Sequence, residues 1–244
     1  MRRMPLRAGA AALAVLTLLS ASGCAAWRAR QSAELARRSE PFQALPAAAV
    51  GRLLVVGDST AVGTGASSPE HSVAGLLARD HPRLAITNAG EDGAKFEAIV
   101  GQLERAQGRW DAVLVLGGGN DVIRLTGYEK LQDAVGRVAQ LARERSDVVV
   151  FLPSGNVGNA PFFFPPWSWW MTQRSQTLHE IVRAAAQANG ASYVNLYKRR
   201  ADDPFAQDPK GMNARDGLHP GDAGYRLWYS ELNRQAGLSG KLPG

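Results

Sequence analysis

From Gly51 onward, short apolar runs alternate with longer stretches in which apolar residues recur every three or four positions. The runs are RLLVVG (52–57), LAITNAG (84–90), DAVLVLGGG (111–119), DVVVFLPSG (147–155) and ASYVNL (191–196). They are brief, rich in β-branched residues and largely unalternating, the pattern of strands buried on both faces. Between them, residues 69–81, 94–107, 128–145 and 172–190 carry helical periodicity, and a last helix is expected over 221–235. In the third, Leu131, Val135, Val138 and Leu141 form one apolar stripe. Strands that alternate with helices predict an α/β fold: a three-layer α/β/α sandwich around a five-stranded parallel sheet. In such sheets ligands bind beyond the carboxyl ends of the strands. The loops after the first three strands hold Ser59, Gly90 and Asn120, so these residues are expected to converge on one edge.

The chain ahead of this rhythm has a different character. Arg2, Arg3 and Arg7 precede an apolar run, Ala8 to Leu19, too short to span a bilayer comfortably. Small residues then lead through SASGC to Cys24, the only cysteine, which excludes an intramolecular disulfide. The segment resembles a bacterial lipoprotein signal, although Ala21 stands where that motif more often has leucine. The resemblance implies residues 1–23 as a signal peptide and lipidation of Cys24. Ala25 after the cysteine implies an outer-membrane lipoprotein facing the periplasm. Secretion after cleavage near Ala21 to Ala26, giving a secreted or soluble periplasmic protein, and an uncleaved anchor are the alternatives, and all three export the chain. Residues 24–50 read as a tether with one helical turn, 51–238 as the domain, and 239–244 as a tail.

With 244 residues, 45% hydrophobic and 20% charged, the chain can bury one good core, and nothing suggests disorder or a second domain. Removal of the leader's three arginines lowers the formal charge from +6 to +3. Arg28, Arg30, Arg37 and Arg38 crowd the tether, where they suit either an anionic lipid surface or plain solvation. The domain has no basic patch interleaved with aromatics, which argues against a nucleic-acid partner.

The candidate chemistry starts from GDS at the end of the first run. Gly57, Asp58 and Ser59 are ordinary turn residues, and the stretch alone does not separate a turn from a nucleophile. DGLHP (216–220) adds a base: an aspartate three residues before a histidine brings both to one face, so Asp216 can hold the imidazole Nδ1 proton and leave Nε2 of His219 free. A serine hydroxyl needs such a base to attack at neutral pH. GGGND (117–121) adds glycines that permit close approach and an amide donor on Asn120 for a developing oxyanion. Capping roles for Asn120 and Asp216, and a strand-ending role for Gly90, remain open on the residues alone. Asp121 reads as structural. His71, His81 and His179 read as surface or packing residues, and no His, Cys and carboxylate cluster has metal spacing.

GDS, NAG (88–90), GGGND and DGLHP, in this order, resemble the four conserved blocks of the SGNH hydrolases, the GDSL esterase/lipase family, over about Arg52 to Gln235. The resemblance implies a flavodoxin-like hydrolase fold and a serine ester hydrolase without cofactor or metal. It implies Ser59 as nucleophile, His219 as base and Asp216 as its partner, with the Ser59 and Gly90 N–H groups and the Asn120 amide as oxyanion donors. The chain departs from the pattern in having Thr60 after the serine, and in the acidic Glu91 and Asp92, which would disfavour anionic substrates. Small-molecule, lipid or glycan esters are the expected partners. An acyltransferase and a non-catalytic envelope protein that binds glycan or lipid are the alternatives. Residues 159–171, NAPFFFPPWSWWM, stand outside the pattern, their three prolines expected to forbid a regular helix. Phe162, Phe163, Phe164, Trp167, Trp169 and Trp170 would wall an acyl pocket, pack back as satellite core, or meet a lipid interface.

Overall fold

The structure is a computed structural model, which describes Gly23 and residues 26–243. The expected leader and the lipidation position Cys24 lie outside the described residues. Five parallel strands form one sheet in the order β2-β1-β3-β4-β5: β1 (Gly51–Gly57), β2 (Leu84–Asn88), β3 (Ala112–Gly117), β4 (Val149–Pro153) and β5 (Ser192–Tyr193). Each neighbouring pair is parallel, so the strands are joined by crossover connections. The order reverses between β1 and β3, the place where an open α/β sheet leaves a crevice.

Successive residues of β1 point to opposite faces, and each face has its own core. Leu53 and Val55 join Leu114 and Val150 beneath α1 (Val73–Asp80) and the C-terminal α5 (Asp222–Ala236). Leu54 and Val56 join Val113 and Phe151 beneath α2 (Phe96–Arg105), α3 (Tyr128–Arg145) and α4 (Trp167–Ala188). These are the three expected layers. The stripe Leu131, Val135, Val138 and Leu141 is buried as expected, each side chain contributing about 1.5–3 kcal/mol on leaving water. The inner strands β3 and β4 are buried at every position, whereas β2 alternates because it lies at the sheet edge.

Three expectations change. The segment read as a tether is helical over residues 26–38, and Ala44 then pairs antiparallel with Ile86 and covers the β2 edge. Phe42 packs on the core, and the Gln43 amide exchanges two hydrogen bonds with the Asn88 backbone. The residues after 238 belong to the body, since Leu242 is buried and Pro243 lies against Gly51. Finally, α4 begins at Trp167, inside the segment whose prolines were expected to prevent a helix. Pro161, Pro165 and Pro166 all precede it, and proline obstructs a helix only beyond its first turn, where its missing N–H matters.

Candidate active site

Ser59 sits on a single helical turn, Ser59–Val62, that opens directly off β1. Asp58 caps the turn, its Oδ1 accepting from the Thr60 N–H at 2.8 Å and from the Thr60 hydroxyl at 2.7 Å. Burial pushes the Asp58 carboxyl up to about 6, against the lowering effect of the Thr60 bonds. Gly57 makes the sharp exit possible. Its φ is +153°, and a Cβ there would lie 1.8 Å from the Leu116 carbonyl oxygen. The Gln102 side chain clamps the same residue, accepting from the Gly57 N–H at 2.7 Å and donating to its carbonyl at 2.9 Å.

The DGLHP stretch lies across this turn. His219 Nε2 is 3.0 Å from Ser59 Oγ, and His219 Nδ1 is 2.6 Å from Asp216 Oδ2. Asp216 is fully buried, with its Oδ1 accepting from the backbone N–H groups of Leu218 at 3.0 Å and His219 at 3.1 Å. Burial pushes this carboxyl up, but the hydrogen bond and charge of His219 and the two backbone donors outweigh it, and the net direction is down. An ionised carboxylate only accepts, so Nδ1 carries the imidazole proton. Nε2 then presents a lone pair, and the Ser59 hydroxyl donates to it.

Asn120 occupies a second helical turn, Gly119–Ile123, beyond β3. It is pinned from two sides. Asp121 accepts from the Phe96 N–H at 3.0 Å, and the buried Arg174 guanidinium donates to the carbonyls of Val122 at 3.2 Å and Thr126 at 2.6 Å. The structural reading of Asp121 therefore holds. Gly118, at φ +97°, starts the turn with Leu178 side-chain atoms where its Cβ would be. The Asn120 amide has no protein partner among the described residues and lines the same cavity as Ser59 and His219.

Gly90 does not meet its expectation. Its N–H donates to Asn88 Oδ1 at 3.0 Å, while Asn88 Nδ2 donates to the Ala61 carbonyl at 2.7 Å. Asn88 thus ties the loop after β2 to the Ser59 turn and occupies the donor that was assigned to an oxyanion. An Asx turn needs only an asparagine two residues ahead, so NAG carried that signal. Of the acidic pair, Glu91 is salt-bridged to Arg105, and Asp92, pushed up by burial, accepts from the Thr64 hydroxyl at 2.6 Å. His179 is a packing residue. Its ring contacts the Ser154 carbonyl at 2.8 Å and the Tyr193 hydroxyl at 2.6 Å, and burial lowers it to about 4.

A cavity of about 100 Å³ opens beside Ser59. Ile123, Val157, Ala160, Leu196, Phe205, Leu218, Pro220 and Trp228 supply its apolar lining, and Phe162, Phe163, Phe164, Trp167, Trp169 and Trp170 do not reach it. The expected aromatic wall is therefore corrected: those rings line or flank a separate groove beyond the 157–160 turn. The true lining comes from eight separate parts of the chain, and no local pattern marks it. Ser154 Oγ, buried at the end of β4, faces the cavity region without a hydrogen-bond partner.

Residues 55–227 match the model of the GDSL-like lipase/acylhydrolase family. The chain belongs to this family. A GDSL-like esterase of Mycobacterium tuberculosis is 28% identical over 203 residues, 78% of this chain, which spans 61% of that relative's length. Among solved structures, this GDSL-like chain resembles an α/β hydrolase from the Lake Arreo metagenome, with TM-score 0.61, 19% identity, and coverage of 78% of this chain and 96% of that one. TesA matches with TM-score 0.59 and 21% identity over 77% of this chain and 99% of its own. An acetylxylan esterase of Geobacillus stearothermophilus matches with TM-score 0.56 and 20% identity over 79% and 97%. At these identities the likeness speaks to the fold, and the flavodoxin-like strand order of the GDSL-like chain agrees with it.

Proposed function

We propose that this GDSL-like protein is a serine ester hydrolase that works through an acyl-enzyme on Ser59. The observation that carries the reading is the connected line from Ser59 Oγ through His219 to Asp216, with Asp216 held ionised in a buried site. In this reading Nε2 takes the hydroxyl proton as Oγ attacks the ester carbonyl, and the imidazolium that forms is stabilised by Asp216. The same proton passes to the departing alcohol. Water then repeats the sequence to release the acid. The carbonyl oxygen, as it gains charge, is met by the Ser59 N–H and the Asn120 amide, neither of which has a protein partner among the described residues. The small cavity supports a short acyl group held inside, with the alcohol portion directed outward.

The resemblance of residues 1–24 to a lipoprotein signal supports a second part of the proposal: the enzyme acts in the cell envelope, anchored through a lipid on Cys24. Mass spectrometry of the membrane fraction, before and after Cys24→Ser, tests the anchor. For the chemistry, hydrolysis of acetyl, butyryl, octanoyl and palmitoyl nitrophenyl esters is compared between the wild type and Ser59→Ala. Loss of about a thousandfold or more in the variant, with a wild-type optimum at the short esters, is expected. A folded wild type that hydrolyses none of the esters, or a Ser59→Ala variant as active as the parent, refutes the proposal.

A further inference from the structure

The six aromatic residues that the sequence singled out are left without a role at Ser59, and four of them are exposed. Trp169 is 70% exposed, Trp167 57%, Phe164 56% and Trp170 39%, and Trp27 on the N-terminal helix is 57% exposed. These account for five of the nine large apolar side chains exposed among the described residues, so they form a patch rather than a scatter. The N-terminal helix joins the patch through Arg28, whose guanidinium donates to the Pro161 carbonyl and lies 4.9 Å over the Phe164 ring. Trp167 and Trp170 pack against each other on the first turn of α4, their centroids 5.4 Å apart and their rings tilted by 35°. None of the four exposed indoles donates its N–H to a protein group among the described residues.

We propose that this patch docks on a bilayer containing anionic phospholipid. Tryptophan suits the boundary between acyl chains and headgroups because its ring is apolar and its N–H still finds an acceptor there. The charges fit the same partner. Arg28, Arg199 and Arg200 line the groove beside Phe164 and Trp169, and guanidinium groups favour phosphate. The direction of the chain fits as well, since Trp27 stands three residues after Cys24 and eight after the end of the apolar run at Leu19. Any attachment there, lipid or leader, brings this face to the membrane first. Asn156 and Ala160 line both the groove and the Ser59 cavity, so docking sets the cavity mouth beside the lipid surface. The inference uses the proposed anchoring for the direction of approach and is independent of whether Ser59 hydrolyses esters.

Quenching of tryptophan emission in vesicles of phosphatidylglycerol and phosphatidylcholine, the latter brominated on its acyl chains near the headgroup, tests it. The full chain carries Trp27→Phe, so that no reporter sits beside the attachment point. Of its five remaining tryptophans three lie on the patch, Trp228 is buried, and Trp110 precedes β3 at the other end of the sheet. Emission falling by about half relative to unbrominated vesicles is the expected result. Adding Trp167→Phe, Trp169→Phe and Trp170→Phe abolishes most of the quenching, with an unchanged thermal midpoint as the check on folding. Trp169→Phe alone removes a smaller share should the multiple variant not fold. Equal emission in both vesicles overturns the proposal, and so does quenching that survives loss of the three rings. A dimer in detergent whose contact protects these tryptophans from quenching assigns the patch to a second copy and likewise overturns it.

Discussion

Asp216 offers the sharpest test of the proposed chemistry, because two substitutions separate its two jobs. In Asp216→Asn the amide oxygen keeps the hydrogen bonds from Leu218 and His219, but an NH₂ group now faces Nδ1 where a carboxylate accepted at 2.6 Å. Two donors cannot face each other, so the imidazole proton moves to Nε2, which then donates toward Ser59 and no longer accepts its proton. The expected loss in kcat/KM on nitrophenyl acetate is about four orders of magnitude, or roughly 5 kcal/mol of barrier, with little change in stability. Asp216→Ala removes the acceptor altogether and leaves two buried N–H groups unpaired. At about 1–3 kcal/mol for each, it loses roughly 2–6 kcal/mol, a fall in Tm on the order of 10 °C. The folded carboxyl lies below its ordinary value, so its contribution is present at neutral pH and is lost as pH falls through that depressed value. The small stability difference between wild type and Asp216→Asn at neutral pH should therefore vanish in acid. Steady-state kinetics and thermal unfolding of the three proteins decide the matter. An Asn variant within tenfold of wild type, or an Ala variant as stable as the Asn variant, refutes the reasoning.

Other outcomes follow from the same geometry. Asn120→Ala removes an aimed donor and should lower kcat by about 10²–10³ with KM for small esters little changed; a variant with full kcat would remove Asn120 from the proposed oxyanion site. Asp58→Asn keeps the cap on Thr60 and removes a buried charge. Because the folded carboxyl is raised from 3.8 to about 6, its contribution is present in acid and lost as pH rises through 6, so the variant should gain up to about 3 kcal/mol at pH 7 and nothing at pH 3 in urea unfolding. Equal stability at both pH values would contradict the burial argument. Gly57→Ala places a Cβ 1.8 Å from the Leu116 carbonyl at a positive φ. It should destabilise by about 2–4 kcal/mol or fail to accumulate folded, and a wild-type melting curve would show that the strand exit is not constrained as described.

The sheet and the candidate trio of Ser59, His219 and Asp216 were legible in the chain before any packing was known. Five apolar runs with helical stretches between them admit one economical packing, a parallel sheet covered on both faces, and the polarity of such a sheet sends the loops carrying Ser59 and Asn120 to one edge. Asp216 and His219 were legible because three residues in a tight turn are a local geometry. The family resemblance of four ordered blocks strengthened what spacing alone left open. Which donors are free and what walls the cavity depended on how distant segments pack. The NAG block pointed to the Gly90 N–H as an oxyanion donor, but a side chain two residues away satisfies that group, and hydrogen bonds compete in ways that residue types do not reveal. The aromatic segment had enough apolar surface for a pocket, but β4 and the start of α4 turn it past the 157–160 bend and away from Ser59, leaving that lining to Ile123, Leu196 and Trp228 from distant parts of the chain. Local rules reach about one helical turn along the chain. Contacts between residues a hundred positions apart are set by how whole layers pack, and the cavity is made of those contacts.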